Sequence, residues 1–128
     1  MATTITLNAD VQVQSGPKAS YALVDSVEAY GLTEVVIPKN GTDVEIPVVP
    51  AGPGQLRVLS ITSDRYQDLK YKAKDSTGAK GTEVTLDSPQ LFYAGTIALL
   101  GKTPHSLLFT NSSTTIDANV RILVGRKI

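Results

Sequence analysis

The chain has no cysteine and no tryptophan, and it has a single histidine and a single methionine. Without cysteine there is no disulfide framework, no thiolate metal site and no cysteine nucleophile. The lone His105 excludes a multi-histidine metal site and leaves a Ser-His-Asp triad only through that residue. Five Tyr and two Phe are little material for an aromatic stacking platform. Neither charge sign is in excess: 12 basic residues balance 12 acidic ones. That argues against direct nucleic-acid binding and against an acidic disordered tail. Apolar runs fall far short of the roughly 20 residues that span a bilayer, so no membrane partner is expected. Met1 to Ile5 carries neither a positive region nor a continuous apolar one, which argues against a secretory leader. A cysteine-free chain also fits a reducing compartment.

What is present favours strands. Thirteen Val, eight Ile and fourteen Thr are β-branched and stiff at χ1. Ile5, Leu7, Ala9, Val11 and Val13 alternate with polar residues, as do Ile116, Ala118, Val120, Ile122 and Val124. A period of two predicts half-buried strands at both ends. Leu123 is the one apolar residue on the outer face of the last strand, where a neighbouring chain would dock. Ala19 to Leu32 is the only stretch that offers a helical reading.

Between the ends, Thr33–Ile37 and Asp43–Val49 flank Pro38-Lys39-Asn40-Gly41, which predicts a hairpin. Pro47 and Pro50 predict an edge position, since proline cannot donate to a ladder. Further strands are expected over 56–62, 69–74, 82–86, 91–93, 96–100 and 106–110, separated by Gly, Pro, Asn and Asp turns. The sum is an all-β fold, a β-sandwich of about eight antiparallel strands, in one domain over residues 1–128.

Charge is unevenly spread along the chain. Residues 1–55 hold six acids and two bases, and residues 56–128 hold six acids and ten bases. Opposite patches would suit assembly, but interleaving of the two halves in a sandwich would cancel them. Lys70, Lys72 and Lys74 project from one strand face. They read as a basic ridge for an acidic partner, or as a solvated face whose like charges deter edge pairing.

Signs of catalysis are few. Gly95 to Thr103 ends in Gly-Lys-Thr, but it has one residue too many between its glycines for a phosphate loop, and Pro104 follows. His105 and Ser106 are neighbours on a strand, so their side chains point opposite ways. The acids show no calcium-loop spacing. Asn111-Ser112-Ser113 matches a glycosylation sequon but reads as a turn. No enzyme activity, cofactor or metal is expected.

Three segments carry a resemblance: Ser88-Pro-Gln-Leu-Phe-Tyr-Ala-Gly-Thr96, Pro104-His-Ser-Leu-Leu-Phe-Thr-Asn111 and Ala118-Asn-Val-Arg-Ile-Leu-Val-Gly-Arg126. In wording this stretch resembles the small head decoration, or cement, proteins of tailed bacteriophages. The resemblance covers roughly the last 40 residues in wording, and the rest only in length and β-character. It implies a jelly roll and a homotrimer made in the host bacterial cytoplasm. It places the protein on the outer capsid surface of the virion, bridging major capsid protein subunits. It brings no active-site motif. Expected contact residues are Lys70, Lys72, Lys74, Pro47, Pro50, Leu123 and Arg126, with the chain ends. The competing reading is a carbohydrate- or receptor-binding sandwich of a phage fibre or cell-surface protein, using some of Tyr21, Tyr30, Tyr66, Tyr71 and Tyr93. A small cupin-like enzyme is disfavoured because such metal sites need several histidines.

Overall fold

The computed structural model describes residues 3–27, 29–48 and 55–127. Ten strands lie among them: β1 (Thr3–Gln12), β2 (Lys18–Val27), β3 (Ala29–Ile37), β4 (Val44–Pro47), β5 (Gln55–Ser63), β6 (Leu69–Lys74), β7 (Val84–Thr85), β8 (Gln90–Tyr93), β9 (Ser106–Asn111) and β10 (Ala118–Lys127). A 3-10 helix spans Ala94–Leu100. Every strand pairing is antiparallel.

The strands build two four-stranded sheets and one ribbon. The first sheet runs β3-β10-β5-β8, the second runs β4-β9-β6-β7, and β1 pairs only with β2. From β3 onward the chain changes sheet at every step except β6 to β7. The two sheets pack face to face as an all-β sandwich. Between them lie Leu59, Ile61, Val120 and Ile122 from one sheet and Leu69, Tyr71, Leu107 and Phe109 from the other, all at most 1% exposed. Tyr71 and Phe109 meet at 5.5 Å between ring centroids. The Tyr71 hydroxyl keeps a partner at the core's edge by donating to Gln90 Oε1 at 2.6 Å. Burial pushes that phenol well above its usual range.

Several sequence expectations need correction. The Ala19–Leu32 stretch is not helical: it supplies β2 and the start of β3. Its Ala19, Tyr21 and Leu23 already repeat at period two and pair with β1. Among the described residues, which leave out Val49, the Thr33–Ile37 and Asp43–Val49 segments do not pair with each other. β3 pairs with β10 and β4 with β9, in different sheets. The turn itself forms, with Asn40 at φ 59° and Gly41 N donating to Pro38 O. However, Asn40 N donates to Ser113 O, and Gly41 O accepts from Asn111 N, so the turn is held against the β9–β10 loop and carries the chain between sheets.

The predicted strand over 96–100 is the 3-10 helix. Thr96 Oγ1 accepts from Tyr93 N and donates to Tyr93 O, and Gly101 at φ 83° ends the turn. Ile97 and Leu100 are the two buried residues of this helix. Their spacing of three fits its three residues per turn. Gly101 is therefore a helix stop, and the Gly-Lys-Thr sequence is no phosphate loop.

Candidate interaction surfaces

The terminal ribbon is one-sided. Residues directly opposite each other in an antiparallel ladder share a face. One face therefore carries Ile5 with Asp25, Leu7 with Leu23, Ala9 with Tyr21, and Val11 with Ala19. The other carries Thr6 with Val24, Asn8 with Ala22, Asp10 with Ser20, and Gln12 with Lys18. The first face is apolar apart from Asp25, and the second is mostly polar. Ten residue pairs make a ribbon about 30 Å long.

Cover is also uneven along the ribbon. Near the sandwich Val27 is fully buried, and Ile5, Leu7, Leu23 and Asp25 are half-buried. Towards the tip Ala9, Val11, Ala19 and Tyr21 are all exposed, Val11 by 60% and Tyr21 by 54%. The alternation read from Ile5 holds through Val11, Val13 lies past the end of β1 in the turn, and burial stops after Leu7.

The covered half sits on the outer face of the first sheet. Gly125 lies beneath Ile5, Val27 and Val58, and any side chain there would collide with the Ile5 methyl. A groove runs beside this seat, lined by Ile5, Leu7, Ser60, Leu91 and Leu123. Asp25 pins the ribbon from the side. It accepts from Arg57 Nε at 2.8 Å, and the Arg57 guanidinium lies 5.8 Å from the Tyr93 ring centroid. The Arg57 hydrogen bond, more than burial opposes, holds the Asp25 carboxyl below its ordinary range.

Beyond the seat the same outer face is open. Leu32, Leu123, Ser60 and Leu91 form one row across all four strands. Leu32 is 48% exposed, Leu91 42% and Leu123 37%. The next row is Glu34, Arg121 and Thr62, with Arg121 Nε 3.3 Å from the Glu34 carboxylate. Leu123 thus lies where the sequence puts it, on the outer face. The sequence alone does not reveal that Leu32 and Leu91 join it, because that row depends on the register of β3, β10, β5 and β8.

The three ridge lysines share a strand face, but each has a carboxylate beside it. Lys70 lies 3.8 Å from Glu83, Lys72 3.5 Å from Asp43 and Lys74 2.7 Å from Glu45. The Lys74 hydrogen bond holds Glu45 below its ordinary range. Lys80 also reaches Asp43. These acids come largely from the acidic first half of the chain and the lysines from the basic second half. The pairs Asp25–Arg57 and Glu34–Arg121 have the same origin. The sandwich therefore interleaves the two halves, and the charge asymmetry of the sequence closes up in space.

Other predicted positions separate. Pro47 lies in β4, an edge strand of the second sheet, as its missing N–H requires. Pro50 lies outside the described residues. Arg126 sits near the end of β10, opposite Ala29 and Leu56. His105 is exposed while Ser106 is buried, so the two do not form a nucleophile and base pair. Tyr71 is buried, the Tyr66 hydroxyl oxygen accepts from Ser63 N at 3.1 Å, and Tyr93 lies beneath Arg57. Tyr21 and Tyr30 remain exposed, on separate elements.

Asn111 of the sequon is 1% exposed. Its Nδ2 donates to Ile37 O at 3.2 Å and Ile116 O at 3.0 Å, and its Oδ1 accepts from Ser113 N at 3.1 Å. It is a structural clamp. Among the described residues no group of three or more His, Cys, Asp or Glu side chains is placed to hold a metal ion. Also among them, no helix is long and apolar enough to cross a membrane.

Comparison of the chain with protein-family models, with curated proteins and with solved structures finds no match.

Proposed function

We propose that this chain is a structural assembly protein of a virion. It decorates the outside of a tailed-phage head and reinforces contacts between major capsid protein subunits, as a homotrimer. The observation that carries the assembly part of this reading is the one-sided ribbon, apolar on one face and bare over its outer half. A second open apolar row lies on the neighbouring sheet. Large exposed apolar patches on a small domain mark places where other proteins bind. The phage part rests on the resemblance of the last third of the chain. Those three segments supply β8, β9 and β10. β9 and β10 are inner strands of their sheets, so the resembling residues form the spine of the sandwich.

The jelly-roll reading draws on the strand order. An eight-strand double sheet, built from β3 to β10 with repeated crossing between sheets, is what two Greek keys produce. A cement protein works by many modest contacts repeated over a lattice, where multivalency multiplies weak affinities.

The test is addition of the purified protein to undecorated phage heads, with native mass measured by light scattering beforehand. The reading expects a trimer that co-sediments with heads and raises their resistance to heat or chelation. Protein that never binds heads, across an excess of protein, would remove it. A carbohydrate-binding module would instead give hits on a glycan array. Of the five tyrosines such a site could use, only Tyr21 and Tyr30 are largely open.

A further inference from the structure

We infer that the outer half of the β1–β2 ribbon docks on the open outer face of the β3-β10-β5-β8 sheet of a second copy of this chain. The contact joins Val11, Ala19 and Tyr21 of one copy to Leu32 and Leu123 of the next. It would supply the contact between copies that the proposed homotrimer needs, and it rests on the ribbon and the sheet rather than on the capsid reading.

Four observations lead to it. First, the ribbon's apolar face is continuous from Ile5 to Val11, yet only its inner half is covered. A two-stranded ribbon is marginally stable by itself in water, so its outer half needs a surface. Second, the molecule already displays the surface that fits this face. Ile5 and Val27 rest on Gly125 and Val58, on the outer side of the first sheet. Third, that sheet face does not end at the seat. The adjoining row, with Leu32 and Leu123, is open. The ribbon's inner half and its outer half would thus use one kind of surface, the first within the chain and the second on a neighbour. Fourth, the two surfaces match in charge. Ala9, Val11, Ala19 and Tyr21 bring no formal charge, and neither does the Leu32-Leu123-Ser60-Leu91 row. The nearest ions on the sheet, Arg121 and Glu34, are paired with each other. Docking therefore buries no unpaired charge, which would be costly.

The contact joins unlike surfaces. Repeated head to tail, it gives a closed ring when its rotation closes. Each copy gives a ribbon to one neighbour and takes one from the other.

The absence of native cysteine makes a direct test available. Two single variants, A19C and L32C, are purified separately, mixed and oxidised. A third, S76C, lies on the exposed loop after β6 and serves as the control partner. The contact predicts that A19C forms a disulfide-linked dimer with L32C roughly a thousandfold faster than with S76C. That ratio reflects an effective concentration near millimolar in the docked pair against micromolar free protein. In parallel, V11E should convert the native oligomer to a monomer, with the strand signal in circular dichroism kept. Equal rates with L32C and S76C would overturn the inference, even if V11E failed to fold. So would a wild-type chain that is monomeric at high concentration and whose ribbon gains protection only on phage heads. The occupant would then be the capsid protein.

Discussion

Asp25 of β2 accepts a hydrogen bond from Arg57 of β5 at 2.8 Å, and this pair fastens the ribbon to the sandwich. Asp10–Lys18 lies within the ribbon, and at the seat Ile5 and Val27 bring apolar side chains against Gly125. The Asp25 carboxyl titrates below its ordinary value because Arg57 favours its charged form. Its contribution is therefore present above the ordinary carboxyl pKa and is lost as pH falls through the lowered one. The protection of β1 and β2 from hydrogen exchange, taken relative to the intrinsic amide rate at each pH, should fall on acidification through that range. D25N should lower this protection already at neutral pH and remove its acid dependence there. Glu45, Asp64 and Asp75 are lowered too, but they lie away from the ribbon, so a D25N ribbon that still responds to acid would discard this assignment.

Gly125 sits at a register shift between β10 and β5, directly under the ribbon seat. A side chain there meets the Ile5 methyl first and Val27 next. Overpacking of this kind costs about 1–3 kcal/mol. G125V should lower stability by that amount in urea denaturation, with the loss in exchange protection concentrated in β1 and β2. Shortening the clashing side chain should recover part of it, so I5A/G125V should be less destabilised than the sum of its single variants. Strict additivity would place the strain elsewhere.

The sequence made the strands legible where alternation and burial agree. Ala118, Val120 and Ile122 alternate and are buried, and β10 follows. Leu69, Tyr71 and Ala73 behave in the same way in β6. Alternation in β1 was equally clear, yet its outer half is bare. A period of two reports which face is apolar and says nothing of what covers it. The Asn40-Gly41 turn was legible as a turn, but pairing depends on competition among strands. β9, buried along nearly its whole length, and β10, buried at Ala118, Val120 and Ile122, took the inner places, and β3 and β4 paired with them. The 3-10 helix was hidden because Ile97, Leu99 and Leu100 suit a strand as readily. The spacing of Ile97 and Leu100, with Gly101 after them, was the available signal. The open row of Leu32, Leu123 and Leu91 joins residues from three distant segments, so no local pattern contains it.

Asn111 offers a measure of how much one buried amide contributes. It satisfies two carbonyls and one N–H that join the end of β3 to the β9–β10 loop. Removing the amide leaves these groups without their partner inside the protein. Each group left unsatisfied costs about 1–3 kcal/mol. N111A should therefore lower unfolding free energy by at least the value for one group, measured in urea. Replacement of the exposed Ser112, whose hydroxyl makes only a 3.4 Å contact with Asp68 O, should change little. Similar losses at both positions would argue that the loop, and not the Asn111 amide, is what the substitutions perturb.

The lysine face of β6 gives a prediction in which stability and binding part company. Lys72 and Lys74 each face a carboxylate contributed by the chain around β4, and Lys70 faces Glu83. Reversing Lys74 to Glu puts two like charges together beside Glu45, so K74E should lower the melting temperature. K74E/E45K restores opposite charges and should recover it, more fully at low salt than at high salt because the pair is solvent-exposed. Neutral replacement is the informative case for partner binding. In K70Q/K72Q/K74Q the ridge loses its cations without creating repulsion. Because those cations are already matched within the chain, retention on phage heads should be unchanged. A large loss of retention with intact melting behaviour would mean that the partner competes for these lysines, and the basic ridge would join the docking surface.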